Sequence, residues 1–193
     1  LVGSEMCIRD SAREISFKDN KLKNYVIGNS KQVRVDNFNY VFIRQDPPYN
    51  MEYISSMHLL EQVKGATKFI NHPKGIRNAP EKISMLSYKK IIPPTIITRA
   101  KKEINDFIKQ NGKCVIKPLY GNGGESIFLL DKNDENYNQI IERFIDQLKE
   151  PFIIQKFLSE IKHGDKRIIL VNGEPIAALR RIPKRNEIRS NIH

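Results

Sequence analysis

The sequence predicts an α/β fold in which a small parallel-sheet domain precedes a larger region of mixed strands and helices. Between residues 40 and 71 a strand, an amphipathic helix and a second strand follow one another, an order typical of a parallel sheet. A glycine-rich loop at 119–125 joins two short apolar strands. The dipeptide Asn172-Gly173 lies between two further apolar runs and is a strong hairpin signal.

Composition restricts the class of protein. The 193 residues are 39% hydrophobic and 28% charged, with 10 Gly and 10 Pro, which excludes collagen, a long disordered tail and a membrane bundle. No apolar run approaches the length that a bilayer requires, and no apolar stretch near the N-terminus predicts a signal peptide. Of the two cysteines, Cys7 lies near the terminus and Cys114 in an apolar run, a poor disulfide framework. We therefore expect a reducing, cytoplasmic location and no membrane partner.

The net charge is +11, from 33 basic and 22 acidic residues. One interpretation is a basic nucleic-acid-binding module, but the basic residues are scattered and no aromatic platform is interleaved with them. Residues 162–193 contain eight Lys or Arg against three acids. This excess favours an anionic partner, such as a nucleotide, a phosphate or a carboxylate, near the C-terminal part.

The two ends of the chain are predicted to be unusual. Residues 1–11 begin with Leu1, have no clear pattern and are interpreted as a non-native leader outside the fold. Residues 12–36 are polar and weakly patterned, and no element is predicted there. The chain stops at His193 in a polar segment, which we interpret as a sign that the sequence is a fragment.

The elements follow in order from residue 40. An apolar strand at 40–43 is expected to be buried on both faces, and the two prolines in 44–49 predict a loop. A helix at 52–64 places Tyr53, Met57, Leu60 and Lys64 on one stripe, and a strand at 68–71 completes the unit. A loop is predicted at 73–78, with Asn78 as the cap of the next helix. The remaining predictions are helices at 80–88, 101–110 and 136–149, and strands at 95–98, 114–118, 126–131, 152–155, 167–171 and 175–181.

The stretch Gly121-Asn122-Gly123-Gly124 is the main chemical signal. Glycines allow backbone N–H groups to approach an anion. Neither the Walker form nor the dinucleotide form fits, because no Lys-Ser/Thr pair and no helix follow. The open alternatives are a flap that closes over a triphosphate and a plain hairpin turn. Lys117, four residues before Gly121, favours the flap, although it also fits an exposed strand-end lysine.

Two further segments have a functional and a plain interpretation. The run 152–158 is either a hinge that pairs with a nucleotide base or, as the residues alone favour, an ordinary core strand. Asp165, Arg167, the pair Arg180-Arg181 and Arg189 cluster late in the chain. Arginines suit a bidentate grip on phosphate or carboxylate, and individually they also fit solvated surface charges.

These motifs, in this order, resemble the bacterial glutathione synthetases, a family of ATP-grasp ligases. The resemblance runs from about Tyr40 to His193 and is carried by the following stretches: Arg-Gln-Asp-Pro-Pro-Tyr from Arg44, Asn-His-Pro-Lys-Gly-Ile-Arg-Asn-Ala-Pro-Glu-Lys from Asn71, Val-Ile-Lys-Pro-Leu-Tyr-Gly-Asn-Gly-Gly from Val115, Gln-Lys-Phe-Leu from Gln155, Gly-Asp-Lys-Arg from Gly164 and Asn-Gly-Glu-Pro from Asn172.

The resemblance implies a partial N-terminal substrate-side domain at 12–79 and an incomplete ATP-grasp domain at 80–193. The latter would comprise a flap subdomain at about 80–151, a hinge at 152–158 and the start of a last subdomain at 159–193. It implies the following site residues: Lys82 and Lys117 on phosphates; Gly121, Asn122, Gly123 and Gly124 as the flap; Gln155, Lys156, Phe157 and Leu158 at the adenine; Asp165 near the ribose; Arg167 and Arg189 as catalytic cations; Arg44 and Asp46 on the substrate side.

The implied reaction joins γ-glutamylcysteine to glycine with ATP through an acyl phosphate, in a full-length protein that is a homo-oligomer. The Mg²⁺ ligands are expected beyond residue 193, with none in this chain, so the chain alone is expected to be inactive. Two alternatives remain besides the nucleic-acid module. One is another ATP-grasp carboxylate–amine ligase, and the other is a non-catalytic nucleotide-binding fragment.

Overall fold

The computed structural model describes residues 8–18, 24–46, 48–121 and 126–183. Contacts divide the chain into two compact units, one up to Pro80 and one from Glu81 onward. Each unit has its own sheets, and each is described by itself.

The first unit begins with an antiparallel hairpin that the sequence analysis did not predict. Strands β1 (Arg9–Phe17) and β2 (Tyr25–Arg34) pair along their lengths. The prediction that residues 1–11 lie outside the fold is wrong for Arg9–Ser11, because these three residues pair with β2. The hairpin was missed because nearly all of its side chains are exposed. Backbone pairing rather than a buried apolar face therefore defines these strands, and such strands have no clear alternation in sequence.

A parallel pair of strands follows, as predicted. After a 3-10 helix (Val35–Asn37), β3 (Tyr40–Phe42) pairs in parallel with β4 (Lys68–Ile70). Helix α1 (Met51–Glu61) connects them, and Met57 on its predicted stripe is buried. Burial of β3 on both faces is not observed, since Tyr40 is 57% exposed and Phe42 is 66% exposed. Its apolar run belongs to a two-stranded sheet, and among the described residues no second layer covers these two side chains.

The predicted loop at 73–78 is a short helix, α2 (Pro73–Asn78). His72 caps it, because its Nδ1 accepts a hydrogen bond from the backbone N–H of Lys74 at 3.3 Å, and Pro73 occupies the first turn, where proline is tolerated. Asn78 is thus the last helical residue rather than a cap. Arg77 then joins α2 to α1 through a bidentate ion pair with Glu61, at 2.8 and 3.2 Å.

The second unit is a four-stranded antiparallel sheet with helices packed on it. It starts with α3 (Glu81–Ser84) and a 3-10 helix (Met85–Tyr88). The sheet contains β5 (Thr95–Thr98), β6 (Cys114–Pro118), β7 (Phe128–Leu130) and β8 (Phe152–Lys156), in the order β5-β8-β6-β7. Helices α4 (Lys101–Asn111) and α5 (Tyr137–Gln147) connect these strands. All of these elements lie close to their predicted positions.

One face of this sheet forms the core with the two helices. The core residues are Ile104 and Ile108 of α4, Tyr137, Ile141 and Phe144 of α5, and Cys114, Ile116, Leu130, Phe152 and Ile154 of the sheet. Because side chains alternate along a strand, Val115 and Lys117 of β6 and Gln155 of β8 face the other way. That opposite face carries the polar groups of the candidate site.

The unit ends with a hairpin. After a 3-10 helix (Ser159–His163), β9 (Asp165–Val171) pairs with β10 (Glu174–Arg181). Asn172 and Gly173 both have positive φ, at 51° and 86°, which confirms the predicted two-residue turn. Residue Gly164 precedes β9 with φ of 88° and ψ of 177°, a region that is accessible almost only to glycine.

Candidate functional site

Lys117 lies at the centre of the polar face of the sheet. It is the fourth residue of β6, directly opposite Ile153 of β8, and its ammonium Nζ donates to Oε1 of Gln155 at 3.0 Å. The side chain is only partly exposed. It is therefore not the freely solvated strand-end lysine of the plain interpretation.

Gln155 continues this contact towards the sheet edge. Its Nε2 donates to Oγ1 of Thr95 at 2.8 Å, and the Thr95 hydroxyl donates to the carbonyl of Pro93 at 2.7 Å. Gln155 and Thr95 face each other across β8 and β5. Thr95 was not predicted as a site residue, since a threonine in the run Thr-Ile-Ile-Thr is an ordinary strand residue until its partner is known.

Lys82 approaches the glycine-rich segment from α3. Its ammonium donates to the carbonyl of Pro118 at 2.7 Å and to the carbonyl of Gly121 at 2.9 Å. The backbone of Gly121 also packs closely against Pro118, since a Cβ added to Gly121 would lie 2.8 Å from Cγ of that proline. Lys82 therefore holds the segment that leads into the predicted flap. Glycine suits position 121 because a Cβ there would be too close to the ring of Pro118.

The two lysines are positive charges in a partly buried place. Burial lowers the pKa of the Lys82 ammonium. Burial, together with repulsion by Lys82, lowers the pKa of the Lys117 ammonium. Within the described ranges neither ammonium forms an ion pair, and both are held by neutral oxygens. An arrangement of this kind is suited to an anionic ligand, which would supply the missing negative charge. Phosphate oxygens meet this requirement.

The loop between β6 and β7 is described only in part. The two strands are antiparallel, as the flap prediction requires, and Gly121 lies at the start of the loop. Asn122, Gly123 and Gly124 lie outside the described residues, so their predicted role over the phosphates stays a prediction. Ser126, at the far end of the loop, has φ of 56°.

The predicted hinge at 152–158 consists of strand β8, which lies between β5 and β6, and the two residues that follow it. Phe152, Ile153 and Ile154 are fully buried, so this stretch is a core strand, as the residues alone favoured. The backbone N–H of Lys156 donates to Pro94 and that of Phe157 donates to Lys113, both at 2.9 Å. These two donors are thus used within the sheet, whereas Leu158 follows with an exposed side chain.

Among the described residues of the late charged cluster, Arg181 and Asp165 form an ion pair. Arg181 donates to both carboxylate oxygens of Asp165, at 2.8 and 2.6 Å, and this contact raises the pKa of the Arg181 guanidinium. Arg180 donates to the carbonyl of His163. Arg167 is exposed on β9, and Arg189 lies outside the described residues.

The predicted substrate-side residues belong to the first unit. Arg44 and Asp46 are exposed in the loop between β3 and α1.

In the described parts of the chain no group of three or more His, Cys, Asp or Glu side chains is placed to hold a metal. No helix in these parts is long and apolar enough to cross a membrane.

The chain is similar in fold to solved ATP-grasp proteins. D-cycloserine synthetase DcsG superposes with a TM-score of 0.63 at 16% identity, over 78% of this chain and 54% of that one. The ATP-grasp ligase PsnB, in a complex with Mg and ADP, superposes with a TM-score of 0.57 at 16% identity, over 91% of this chain and 61% of that one. These similarities confirm the predicted fold class.

The family follows from the sequence comparisons. The N-terminal domain of prokaryotic glutathione synthetase matches residues 2–77, and the ATP-grasp domain of the same family matches residues 81–193. The chain belongs to the prokaryotic glutathione synthetase family, as the resemblance predicted.

Curated relatives agree with this assignment. The glutathione synthetase of Rhodopseudomonas palustris is 41% identical over 182 residues, which are 94% of this chain and 58% of the relative. That of Bradyrhizobium diazoefficiens is 40% identical over 192 residues, covering 100% of this chain and 60% of the relative. The chain thus spans about three fifths of the length of these relatives.

Proposed function

We propose that the protein containing this chain is a glutathione synthetase, which joins γ-glutamylcysteine to glycine at the expense of ATP. In this proposal the second unit supplies the nucleotide-binding site. The observation that carries it is the pair Lys82 and Lys117, two partly buried ammonium groups held by neutral oxygens within the described residues. The family match and the curated relatives support the choice of substrates.

The reaction requires activation of a carboxylate. A cysteinyl carboxylate oxygen attacks the γ-phosphorus of ATP, and the bond to the ADP oxygen breaks. The amine of glycine then attacks the carbonyl carbon of the acyl phosphate, phosphate leaves with the electrons of its C–O bond, and the nitrogen loses a proton. Negative charge on the phosphoryl oxygens is stabilised by fixed cations and N–H donors, which is the role proposed for Lys82 and Lys117.

The other predicted residues complete this arrangement. Gly121, Asn122, Gly123 and Gly124 would close over the phosphates and exclude water, which otherwise hydrolyses an acyl phosphate. Gln155 would act through its side-chain amide by holding the Lys117 ammonium. Lys156, Phe157 and Leu158 are proposed to lie at the adenine, although the backbone N–H groups of Lys156 and Phe157 are used in the sheet.

The remaining proposed site residues are charged side chains. Arg167 and Arg189 are proposed to face the acyl phosphate or the substrate carboxylate, and Arg44 and Asp46 the peptide substrate. Asp165 is proposed to act near the ribose, as a carboxylate that Arg181 already orients.

Mg²⁺ is the proposed metal cofactor of the reaction. It would neutralise phosphate charge during transfer. The described residues do not form a group of three or more His, Cys, Asp or Glu side chains that could hold it.

The test is ATP-dependent phosphate release by the whole protein with γ-glutamylcysteine, measured with and without glycine. We expect glycine-dependent release that falls about a hundredfold in Lys117→Ala, the scale of losing one fixed transition-state donor. The matched control is Lys113→Ala, which removes an exposed lysine from just before the same strand, where it pairs with Asp131 at 2.8 Å. This control should keep the activity.

Other outcomes would change the assignment. Release that depends on a different amine acceptor would retain an ATP-grasp carboxylate–amine ligase and discard glycine as the substrate. Equal losses in the Lys113 and Lys117 variants would refute a specific role of Lys117.

A further inference from the structure

A hydrogen-bond chain connects Lys117 with the edge of the sheet. It runs from the ammonium of Lys117 to the amide of Gln155, on to the hydroxyl of Thr95 and to the carbonyl of Pro93, with heavy-atom distances of 3.0, 2.8 and 2.7 Å. Three of these residues lie on neighbouring strands in the order β6, β8 and β5. The chain therefore crosses three strands of the sheet.

The direction of each bond is determined by the two ends. The carbonyl of Pro93 can only accept, so the single hydroxyl proton of Thr95 is donated to it. Oγ1 then acts as an acceptor for Gln155, which requires an amide N–H on that side. At the other end, the ammonium of Lys117 can only donate, and it requires the amide oxygen. Both ends thus impose the same orientation on the Gln155 amide.

We propose that Thr95 is a positioning residue for the proposed phosphate-binding lysine: by fixing the amide of Gln155, it keeps an acceptor directed at the Lys117 ammonium. This inference rests on the proposed function for its consequence in nucleotide binding, but the contact itself is testable without a nucleotide. Thr95 acts only through Gln155.

Removal of the Thr95 hydroxyl should disturb Lys117 at a distance. In Thr95→Val the side-chain shape is retained, but Nε2 of Gln155 loses its acceptor. The amide is then held only by its bond with the ammonium, and it can move away and leave the ammonium without its acceptor. A charged lysine that loses its acceptor is less stable in the charged form, so the pKa of Lys117 should fall further.

The first measurement is the pKa of Lys117 in the whole protein, from the chemical shift of the Lys117 ¹³Cε as a function of pH. We expect Thr95→Val to lower this pKa by about one unit, the scale of one hydrogen bond to a charged group. Thr95→Ser, which keeps the hydroxyl, should retain the wild-type value. Tyr137→Phe is the matched control, because it removes a hydroxyl contact of 2.6 Å to Asn105 on the helix-covered face of the same sheet.

The second measurement is the dissociation constant of ATP. Thr95→Val should weaken binding about tenfold, and Thr95→Ser and Tyr137→Phe should not. In a Gln155→Met background, Thr95→Val should have no further effect, since Met removes the amide through which Thr95 acts. Independent, additive losses would instead show that Thr95 merely stabilises the sheet and would overturn the proposal.

The two measurements separate the two ideas. A wild-type protein that fails to bind ATP would refute the proposed nucleotide site, while the pKa of Lys117 would still decide the role of Thr95. An unchanged pKa of Lys117 in Thr95→Val would refute the positioning role, whatever the affinity for ATP.

Discussion

Gly164 provides a stringent test of the backbone geometry at the base of the last hairpin. Its φ of 88° and ψ of 177° lie in a region that costs other residues about 1–3 kcal/mol. In addition, a Cβ placed on Gly164 would lie 2.2 Å from the carbonyl oxygen of Arg181. That oxygen belongs to the backbone at the end of β10, so relief of the clash requires the hairpin to open, at roughly 1–3 kcal/mol.

We therefore expect Gly164→Ala to lower the free energy of unfolding by roughly 2–6 kcal/mol. The assay is urea unfolding followed by far-UV circular dichroism. When the hairpin opens, the ion pair between Arg181 and Asp165 should also be lost, because both residues adjoin the clash.

Two other glycines serve as controls. Gly173 has φ of 86° but open space around it, so Gly173→Ala should cost only about 1–2 kcal/mol of backbone strain. Gly75 lies in α2 with open space and no positive φ, and Gly75→Ala should stabilise by about 0.5–1 kcal/mol. A Gly164→Ala protein as stable as Gly173→Ala would refute the argument from close approach.

Three further predictions follow from burial. Because the folded pKa values of Lys82 and Lys117 are lowered from 10.5, the fold disfavours their charged forms. The contribution of these two lysines to stability should therefore rise with pH between the lowered values and 10.5. The raised pKa of Cys114 acts in the opposite direction, so the rise is measured as the difference in urea midpoint between the wild type and Lys82→Met/Lys117→Met; a difference that stays constant with pH would contradict it. Ile154→Ala, at a fully buried site, should cost about 2–5 kcal/mol in the same assay, and a loss below about 1 kcal/mol would contradict the assigned core. Burial raises the pKa of the Cys114 thiol to about 11, so iodoacetamide should label the Cys114 peptide slowly in the folded protein and rapidly in urea, as mass spectrometry can measure; equal rates would contradict this burial.

Two signals predicted elements correctly: a buried apolar face, and for the exposed hairpin of β9 and β10 the Asn-Gly turn. Helix α5 and strands β5, β6 and β8 lie where apolar spacing places them, because their side chains pack into one core. The hairpin of β1 and β2 has no such face and was missed. Helix α2 was missed for another reason, since its cap is a histidine, which is not among the residues usually expected to begin a helix.

The candidate site was predictable only in its components. Lys117 and the glycine-rich stretch attract notice as local patterns, and the family resemblance connected them with Lys82. Contacts between distant positions were not predictable from spacing. Lys82 holds carbonyls 36 and 39 positions away, and Thr95 meets Gln155 across 60 positions.

The sequence by itself therefore determined the fold class, the family and the types of residue available for binding phosphate. These follow from local periodicity and from ordered motifs, which are properties of the linear chain. Only the tertiary structure decided that Lys117 donates to Gln155, that Gln155 donates to Thr95 and that Arg181 binds Asp165. The physical reason is strand pairing: register places side chains from distant positions within hydrogen-bonding distance, and burial makes those contacts matter.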